Sequence, residues 1–174
     1  METGVIYYRF INFDLCGLYV AETSLGVCKI NFENSKPEFF SWINQNYPGF
    51  KIIADENNLE SKLDKQIAEY FSGIRKYFDL KIDLKVTDFQ IQVFNYLLKV
   101  PYGSVISYGD IACYLGGVKF ARAVGNALNK NPLPILIPCH RVIDSKGRIG
   151  GFAAGVDIKK KLLNLEKESI CTKI

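Results

Sequence analysis

The stretch Pro132-Leu133-Pro134-Ile135-Leu136-Ile137-Pro138-Cys139-His140-Arg141-Val142 limits this chain more than any other. Its three prolines fix the backbone and remove three amide donors, and the Ile135-Leu136-Ile137 run between them reads as a buried extended segment. The stretch ends in a cysteine beside the only histidine of the chain. A thiol is a good nucleophile only as thiolate, and an imidazole within reach, directly or through one water, commonly generates it near neutral pH. Neighbouring side chains of an extended segment face opposite ways, so contact between Cys139 and His140 needs a bend after Cys139 or a bridging water. The plainer alternative is a small buried thiol next to a hydrogen-bonded histidine.

The 174 residues are enough for one good core or two small ones, and 48% hydrophobic with 23% charged residues is ordinary for a soluble globular protein. Met1-Glu2-Thr3-Gly4 carries no cleavable signal pattern, and no apolar run approaches a membrane span. The expected location is inside the cell, cytoplasmic or nuclear, with no membrane association. Cys16, Cys28, Cys113, Cys139 and Cys171 are odd in number and widely spaced, with no Cys-x-x-Cys. Reduced thiols are expected, with no metal and no cofactor. A net charge of +4 tolerates a polyanionic partner without demanding one.

Residues 5–32 are rich in Ile, Tyr, Phe and Val, with breaks near Asn12 and Gly26, and predict three antiparallel strands over 5–11, 15–21 and 26–31. Pro37 fits the first turn of a helix bearing Phe39, Phe40, Trp42 and Ile43, which Tyr47-Pro48-Gly49 stops. Leu63, Ile67 and Tyr70 predict a second helix from about Leu59 to Phe71, and residues 80–86 alternate like a half-buried strand. Nothing in residues 1–86 resembles a catalytic cluster, so they read as a small α+β scaffold domain.

Residues 87–174 read as a second, mostly helical domain. Thr87 or Asp88 can cap a helix with Phe89, Val93 and Leu97 on one stripe and Phe94 and Leu98 beside it, ended by Pro101-Tyr102-Gly103. Ser107 can cap a short helix through Leu115, Gly116-Gly117 makes a turn, and 118–129 forms another helix, the outline of a helix-turn-helix. The second helix has an unusually small surface at Ala121, Ala123, Gly125 and Ala127. Glycine inside a helix costs about 1 kcal/mol against alanine, so Gly125 implies close approach by another helix or by a nucleic-acid groove. Residues 149–155 form a loop of small residues around Phe152, with room for a flat ligand that the ring can stack on. Asp157 can cap a final helix striped by Ile158, Leu162 and Leu165. Glu166 falls on or beside that buried face and needs a partner there. His140 is the one histidine available, and a carboxylate holding an imidazole that serves a thiol is a known nucleophile arrangement; a solvated helix-end glutamate is the alternative.

The ordered series Phe89-Gln90-x-x-Val93, Pro101-Tyr102-Gly103, Ser107-Tyr108-Gly109-Asp110-Ile111-Ala112, Ala121-Arg122-Ala123-Val124-Gly125, Asn131-Pro132-Leu133-Pro134-Ile135 and Ile137-Pro138-Cys139-His140-Arg141-Val142 closely resembles the O6-alkylguanine-DNA alkyltransferases, the methylated-DNA–protein-cysteine methyltransferases. The resemblance runs from about Thr87 to Glu166. Residues 1–86 are similar in length, in α+β character and in Glu69-Tyr70-Phe71-x-Gly73. It implies an α+β protein: a small ribonuclease-H-like N-terminal domain with a three-stranded antiparallel sheet, then a helical domain with a winged helix-turn-helix.

The resemblance further implies direct reversal of O6-alkylguanine, mainly O6-methylguanine, in double-stranded DNA bound through its minor groove, by a protein expected to be a monomer. Cys139 would accept the alkyl group irreversibly, His140 would act through a water as its base, Glu166 would orient the imidazole, and Asn131 would be a hinge behind the recognition helix. Arg122 would enter the duplex, and Ala121, Ala123 and Gly125 would line the groove contact. Tyr108 would rotate the nucleotide out and donate toward N3 of the base. The carbonyls of Cys139 and Val142 would accept from the guanine amine, and the Ala153 amide would face O6. Pro134, Val142, Phe152, Ala153 and Ala154 complete the implied pocket.

Four positions depart from the family pattern. Phe152 stands for a frequent tyrosine, Ala153 for a serine of some relatives, Ala154 for a usual glycine and Phe120 for a frequent alanine. Ala154 predicts a tighter mouth and slower reaction with bulky O6 groups. Cys16 and Cys28 without a nearby histidine argue against the zinc that some relatives carry. Two other functions stay open at the level of sequence: a non-catalytic alkylguanine sensor, whose family members lack the cysteine, and a thiol hydrolase built on Cys139, His140 and Glu166.

Overall fold

β-Branched and aromatic residues broken by short polar turns give the start of the chain its sheet. In the computed structural model, which describes residues 4–55 and 61–171, β1 (Val5–Asn12), β2 (Gly17–Thr23) and β3 (Gly26–Phe32) form an antiparallel meander with Tyr8 opposite Ala21 and Val20 opposite Ile30. The sheet has four strands, where the sequence pattern suggested three. β4 (Lys51–Ala54) pairs parallel to β1 and sets the order β3-β2-β1-β4. Four residues are too few for an alternation to stand out, and the partner strand lies more than 40 residues earlier.

α1 (Lys36–Asn46) carries Pro37 in its first turn and buries Phe39 and Ile43. Those two side chains join Ile6, Ala21, Cys28 and Tyr47 in one apolar cluster. The strand expected over 80–86 is reduced to one bridge, Val27 to Ile82. Gly26 explains how close that crossing is, because a Cβ there would lie 2.3 Å from the Lys81 carbonyl oxygen. α2 (Lys62–Phe71) starts where the Ser61 hydroxyl accepts from the Asp64 amide at 3.1 Å; the expected start at Leu59 lies outside the described residues. On β1, buried Arg9 donates from Nε to Asp64 Oδ2 at 2.9 Å and from Nη1 to Glu22 Oε2 at 2.8 Å, tying α2 to the sheet.

The chain forms two compact units, Met1–Lys85 and Val86–Ile174. The second unit opens with α3 (Asp88–Leu97), whose reciprocal cap joins Thr87 to Gln90 and whose buried stripe is Val93, Phe94 and Leu97. Leu98, expected beside that stripe, is half exposed at the helix end. β5 (Ile106–Ser107) leads into α4 (Tyr108–Tyr114), which Ser107 and Asp110 cap in the same reciprocal way. The helix expected over 118–129 begins as a 3-10 turn, Val118–Phe120, and becomes α5 (Ala121–Asn129). Gly116 and Gly117 make the preceding bend at φ of 114° and 136°, a region open chiefly to glycine. β6 (Val142–Ile143) pairs parallel to β5, and α6 (Val156–Cys171) closes the unit. Asp157 lies inside the first turn of α6, not at its cap, since the Lys159 amide already donates to Gly155. Among the described residues, no helix is long and apolar enough to cross a membrane.

Candidate active site

The proline-rich stretch is a tight turn, not the extended segment its composition suggested. The Ile137 amide donates to the Leu133 carbonyl at 2.8 Å, and Ile135 sits at φ 77°, where a β-branched side chain is strained. Asn131 holds the turn at both ends. Its Oδ1 accepts from the Leu133 amide at 3.0 Å, and its Nδ2 donates to the Ile137 carbonyl at 2.9 Å and to Cys139 Sγ at 3.1 Å. Cys139–Arg141 then forms a 3-10 turn, all three residues buried. The expected bend is thus present, but it runs through Cys139 itself, and the two side chains diverge by the roughly 120° per residue of such a turn.

His140 Nε2 lies 2.8 Å from Glu166 Oε1, both side chains fully buried. The glutamate therefore has the partner its position required. It also has a second one that sequence reasoning did not supply: Arg141 donates from Nε to Oε2 at 2.9 Å and from Nη2 to Oε1 at 2.9 Å. A third donor, the Gly103 amide, reaches Oε2 at 2.9 Å. Burial opposes the charged carboxylate, but donors from His140 and Arg141 outweigh it and hold the acid down at about 2. An anionic Glu166 means that Nε2 of His140 carries the hydrogen, which makes Nδ1 the basic nitrogen. Burial also pushes His140 below the usual imidazole range, with Arg141 and Lys159 adding to the effect of burial and Glu166 opposing it. The Cys139 thiol is raised by burial and held back by the Asn131 hydrogen bond, by Lys159 and by nearby backbone amides. Both directions favour a neutral thiol beside a neutral imidazole at rest.

Lys159 is the other residue missed. Only 1% exposed, it donates from Nζ to the Val142 carbonyl at 2.6 Å and lies 3.4 Å from that of Gly150. A signal was available: Lys159, Leu162 and Glu166 fall at i, i+3 and i+7, one face of a helix. Arg141 had none, because its role depends on a carboxylate 25 positions away.

Tyr108, the first residue of α4, lies against the loop after β6. An added Cβ at Gly150 would come 3.2 Å from the Tyr108 hydroxyl, so any larger residue there would crowd that hydroxyl. Burial raises the Tyr108 phenol, with Cys139 and Asp144 adding to the effect. Phe152 is half-buried, Ala153 exposed and Ala154 buried, and Pro134 and Val142 are buried as well. On α5, Arg122 is exposed, and Ala121, Ala123 and Gly125 are half-buried. A Cβ on Gly125 would meet nothing nearer than the Tyr108 ring at 3.9 Å, so helix packing does not demand this glycine. Phe120 turns toward Phe89, ring centroids 6.2 Å apart, with Lys119 over its face. Among the described residues, no three His, Cys, Asp or Glu side chains are grouped to hold a metal, and none of the five cysteines is in a disulfide.

Residues 6–84 match the family model for the 6-O-methylguanine DNA methyltransferase ribonuclease-like domain, and residues 88–168 match the model for its DNA binding domain. The chain is 36% identical over 173 residues to the inducible methylated-DNA–protein-cysteine methyltransferase of Bacillus subtilis, covering 97% of this chain and 96% of that one. The chain belongs to the methylated-DNA–protein-cysteine methyltransferase family. A methyltransferase of that name from Methanosarcina acetivorans is 37% identical over 92% of this chain and 98% of its own. The crystal structure of Mycobacterium tuberculosis OGT in complex with DNA superposes with a TM-score of 0.79 at 33% identity, over 94% of each chain. As in the family models, the ribonuclease-like part precedes the DNA-binding part that holds Cys139.

Proposed function

We propose that this protein repairs O6-alkylguanine, chiefly O6-methylguanine, in double-stranded DNA by moving the alkyl group onto its own Cys139. The observation that carries this reading is the buried Cys139 thiol, held by Asn131 beside a histidine that is itself oriented by an anionic Glu166. Family membership supports it, as does the DNA complex of the Mycobacterium tuberculosis relative. Charge supports it too: residues 86–174 hold 12 Lys and Arg against 6 Asp and Glu, whereas residues 1–85 hold 10 against 12.

A stacked guanine hides its O6 substituent from a protein thiol, so the nucleotide is turned out of the duplex at a cost of about a few kcal/mol. The small face of α5 approaches the minor groove, Arg122 fills the gap in the stack, and Tyr108 assists the rotation. In the pocket, His140 Nδ1 takes the thiol proton through a water. The thiolate attacks the alkyl carbon, the carbon–O6 bond breaks, and its electrons pass to the purine. The Tyr108 hydroxyl toward N3 and the Ala153 amide toward O6 stabilise the leaving guanine, while the Cys139 and Val142 carbonyls accept from its amine. The proton that His140 took from the thiol returns through water to the departing purine, so the products are guanine and a thioether that this site cannot hydrolyse, and each molecule reacts once. The protein works inside the cell, as a monomer, without a cofactor.

The test is intact mass and peptide mapping after incubation with a duplex carrying one O6-methylguanine, with Cys139→Ala as control. One methyl group on Cys139, saturating at one per molecule, is the expected result. Tight binding with no mass change in the unaltered protein would replace this reading with the sensor, and turnover of an acyl substrate without DNA would replace it with the hydrolase.

A further inference from the structure

Arg141 occupies the other side of the carboxylate that faces His140, and it is more firmly held than an ordinary ion-pair partner. Besides its two-pronged grip on Glu166, it donates from Nη1 to the Val100 carbonyl at 2.7 Å, and its guanidinium carbon lies 5.7 Å from the centre of the Tyr102 ring. The next residue, Gly103, supplies the remaining donor to Glu166. A Cβ at Gly103 would come within 3.3 Å of the Glu166 carbonyl and nearer still to the tip of Ile170, so the Pro101-Tyr102-Gly103 turn packs against α6 at this point.

We propose that Arg141 is a positioning residue of the alkyl transfer, fixing Glu166 against rotation and neutralising its charge so that His140 keeps one nitrogen unprotonated and available as the base. This inference rests on the alkyl-transfer reading of the site. A buried carboxylate needs one compensating positive charge. With Arg141 present, Glu166 and Arg141 already form a neutral pair, and a proton added to His140 would leave a net charge in the interior. Without Arg141, the imidazole itself would be drawn to supply the positive charge, and in the imidazolium form both ring nitrogens bear hydrogen and no lone pair remains for the thiol proton. The charged groups facing His140 all bear on this balance. Glu166 on α6 draws a proton onto the ring, while Arg141 on the same turn and Lys159 on α6 oppose it. Groups facing Glu166 include His140, Arg141 and the Tyr102 phenol, together with the neutral Gly103 amide.

The single histidine makes the test direct, because 15N-histidine labelling gives one pair of ring nitrogens. In the unaltered protein the ring is expected neutral with hydrogen on Nε2 at pH 7. In Arg141→Met the midpoint for forming imidazolium is expected to rise by about one pH unit, a tenfold gain in proton affinity. Arg141→Lys keeps the charge but loses the fork. Its midpoint should stay within about threefold of wild type, the Nε2 hydrogen should exchange faster with solvent, and methyl transfer should slow about tenfold. A folded Arg141→Met protein with an unshifted midpoint and tautomer would overturn the proposal. If that variant does not fold, Arg141→Lys decides, and unchanged exchange and transfer would overturn it equally. Failure of the unaltered protein to transfer methyl at all would remove the alkyl-transfer reading, while the histidine titration would still show whether Arg141 governs the imidazole.

Discussion

Replacing Glu166 by glutamine changes one atom and reverses one hydrogen bond, so its effect can be worked out from contacts. Oε1 accepts from His140 and Arg141, and Oε2 accepts from Arg141 and the Gly103 amide. The amide NH2 of glutamine must take one of these places, and each of them faces only N–H groups. If it takes the Oε1 place, His140 must turn its lone pair to Nε2, which moves the hydrogen to Nδ1 and removes the base. If it takes the Oε2 place, the backbone amide of Gly103 loses its acceptor, and in either case Arg141 is left buried without a counter-charge. Breaking a buried pair in this way costs about 3–5 kcal/mol, so the melting temperature should fall with it. A misplaced or lost base costs about 10²–10⁴ in rate. Single-turnover methyl transfer from an O6-methylguanine duplex, with DNA in excess and at a temperature where the variant is folded, measures the second effect apart from the first. A folded Glu166→Gln protein that transfers methyl within threefold of wild type would refute the orienting role of Glu166.

Removing the buried ammonium with Lys159→Met should raise the Cys139 thiol further, because Lys159 now holds it down. The pH midpoint for iodoacetamide labelling of Cys139 should move up, by about one unit if the two charges interact as closely as their neighbourhood suggests. Glu166 titrates near 2 when folded, against an ordinary value of 4.5. Its lowered value stabilises the fold fully above about pH 4.5, and that contribution, roughly 3 kcal/mol, is lost as pH falls toward 2; acid unfolding of Glu166→Gln should lack this component. Arg9→Met strands Asp64 and should cost about 3–5 kcal/mol in urea unfolding, whereas a loss under 1 kcal/mol would mean that the cluster is dispensable. Ala154 is buried in the loop after β6, and on the tight-mouth reading the unaltered protein should react more slowly with O6-benzylguanine than with O6-methylguanine DNA. Ala154→Gly should narrow that difference, and equal rates in the unaltered protein would count against the tight-mouth reading.

Much of the molecule is legible in local sequence because local chemistry fixes it. Ser107 and Thr87 cap their helices with side chains that reach only three residues on, Pro37 opens α1, and Gly116-Gly117 makes the bend that leads into α5. The Ile135-Leu136-Ile137 run misled for a related reason. An apolar run reports burial but not backbone direction, and here Asn131 bends it into a turn that leaves Ile135 in a left-handed conformation. The four residues of β4 and the shortened pairing at Ile82 were hidden because strand partners lie far apart in the chain.

The candidate site divides along the same line. Cysteine beside histidine, an asparagine before the prolines and a glutamate on the inner face of the last helix are determined by the order of residues, and with them the class of chemistry. Tertiary structure decided the protonation of those groups. Glu166 is held anionic because His140 and Arg141 reach it from another segment, and burial, with Arg141 and Lys159, pushes His140 toward its neutral form. Lys159 bears on the thiol only because α6 folds back over the site. A residue brings its functional group from the sequence, but the group's charge depends on the solvent and counter-charges around it, and only packing across distant segments sets those.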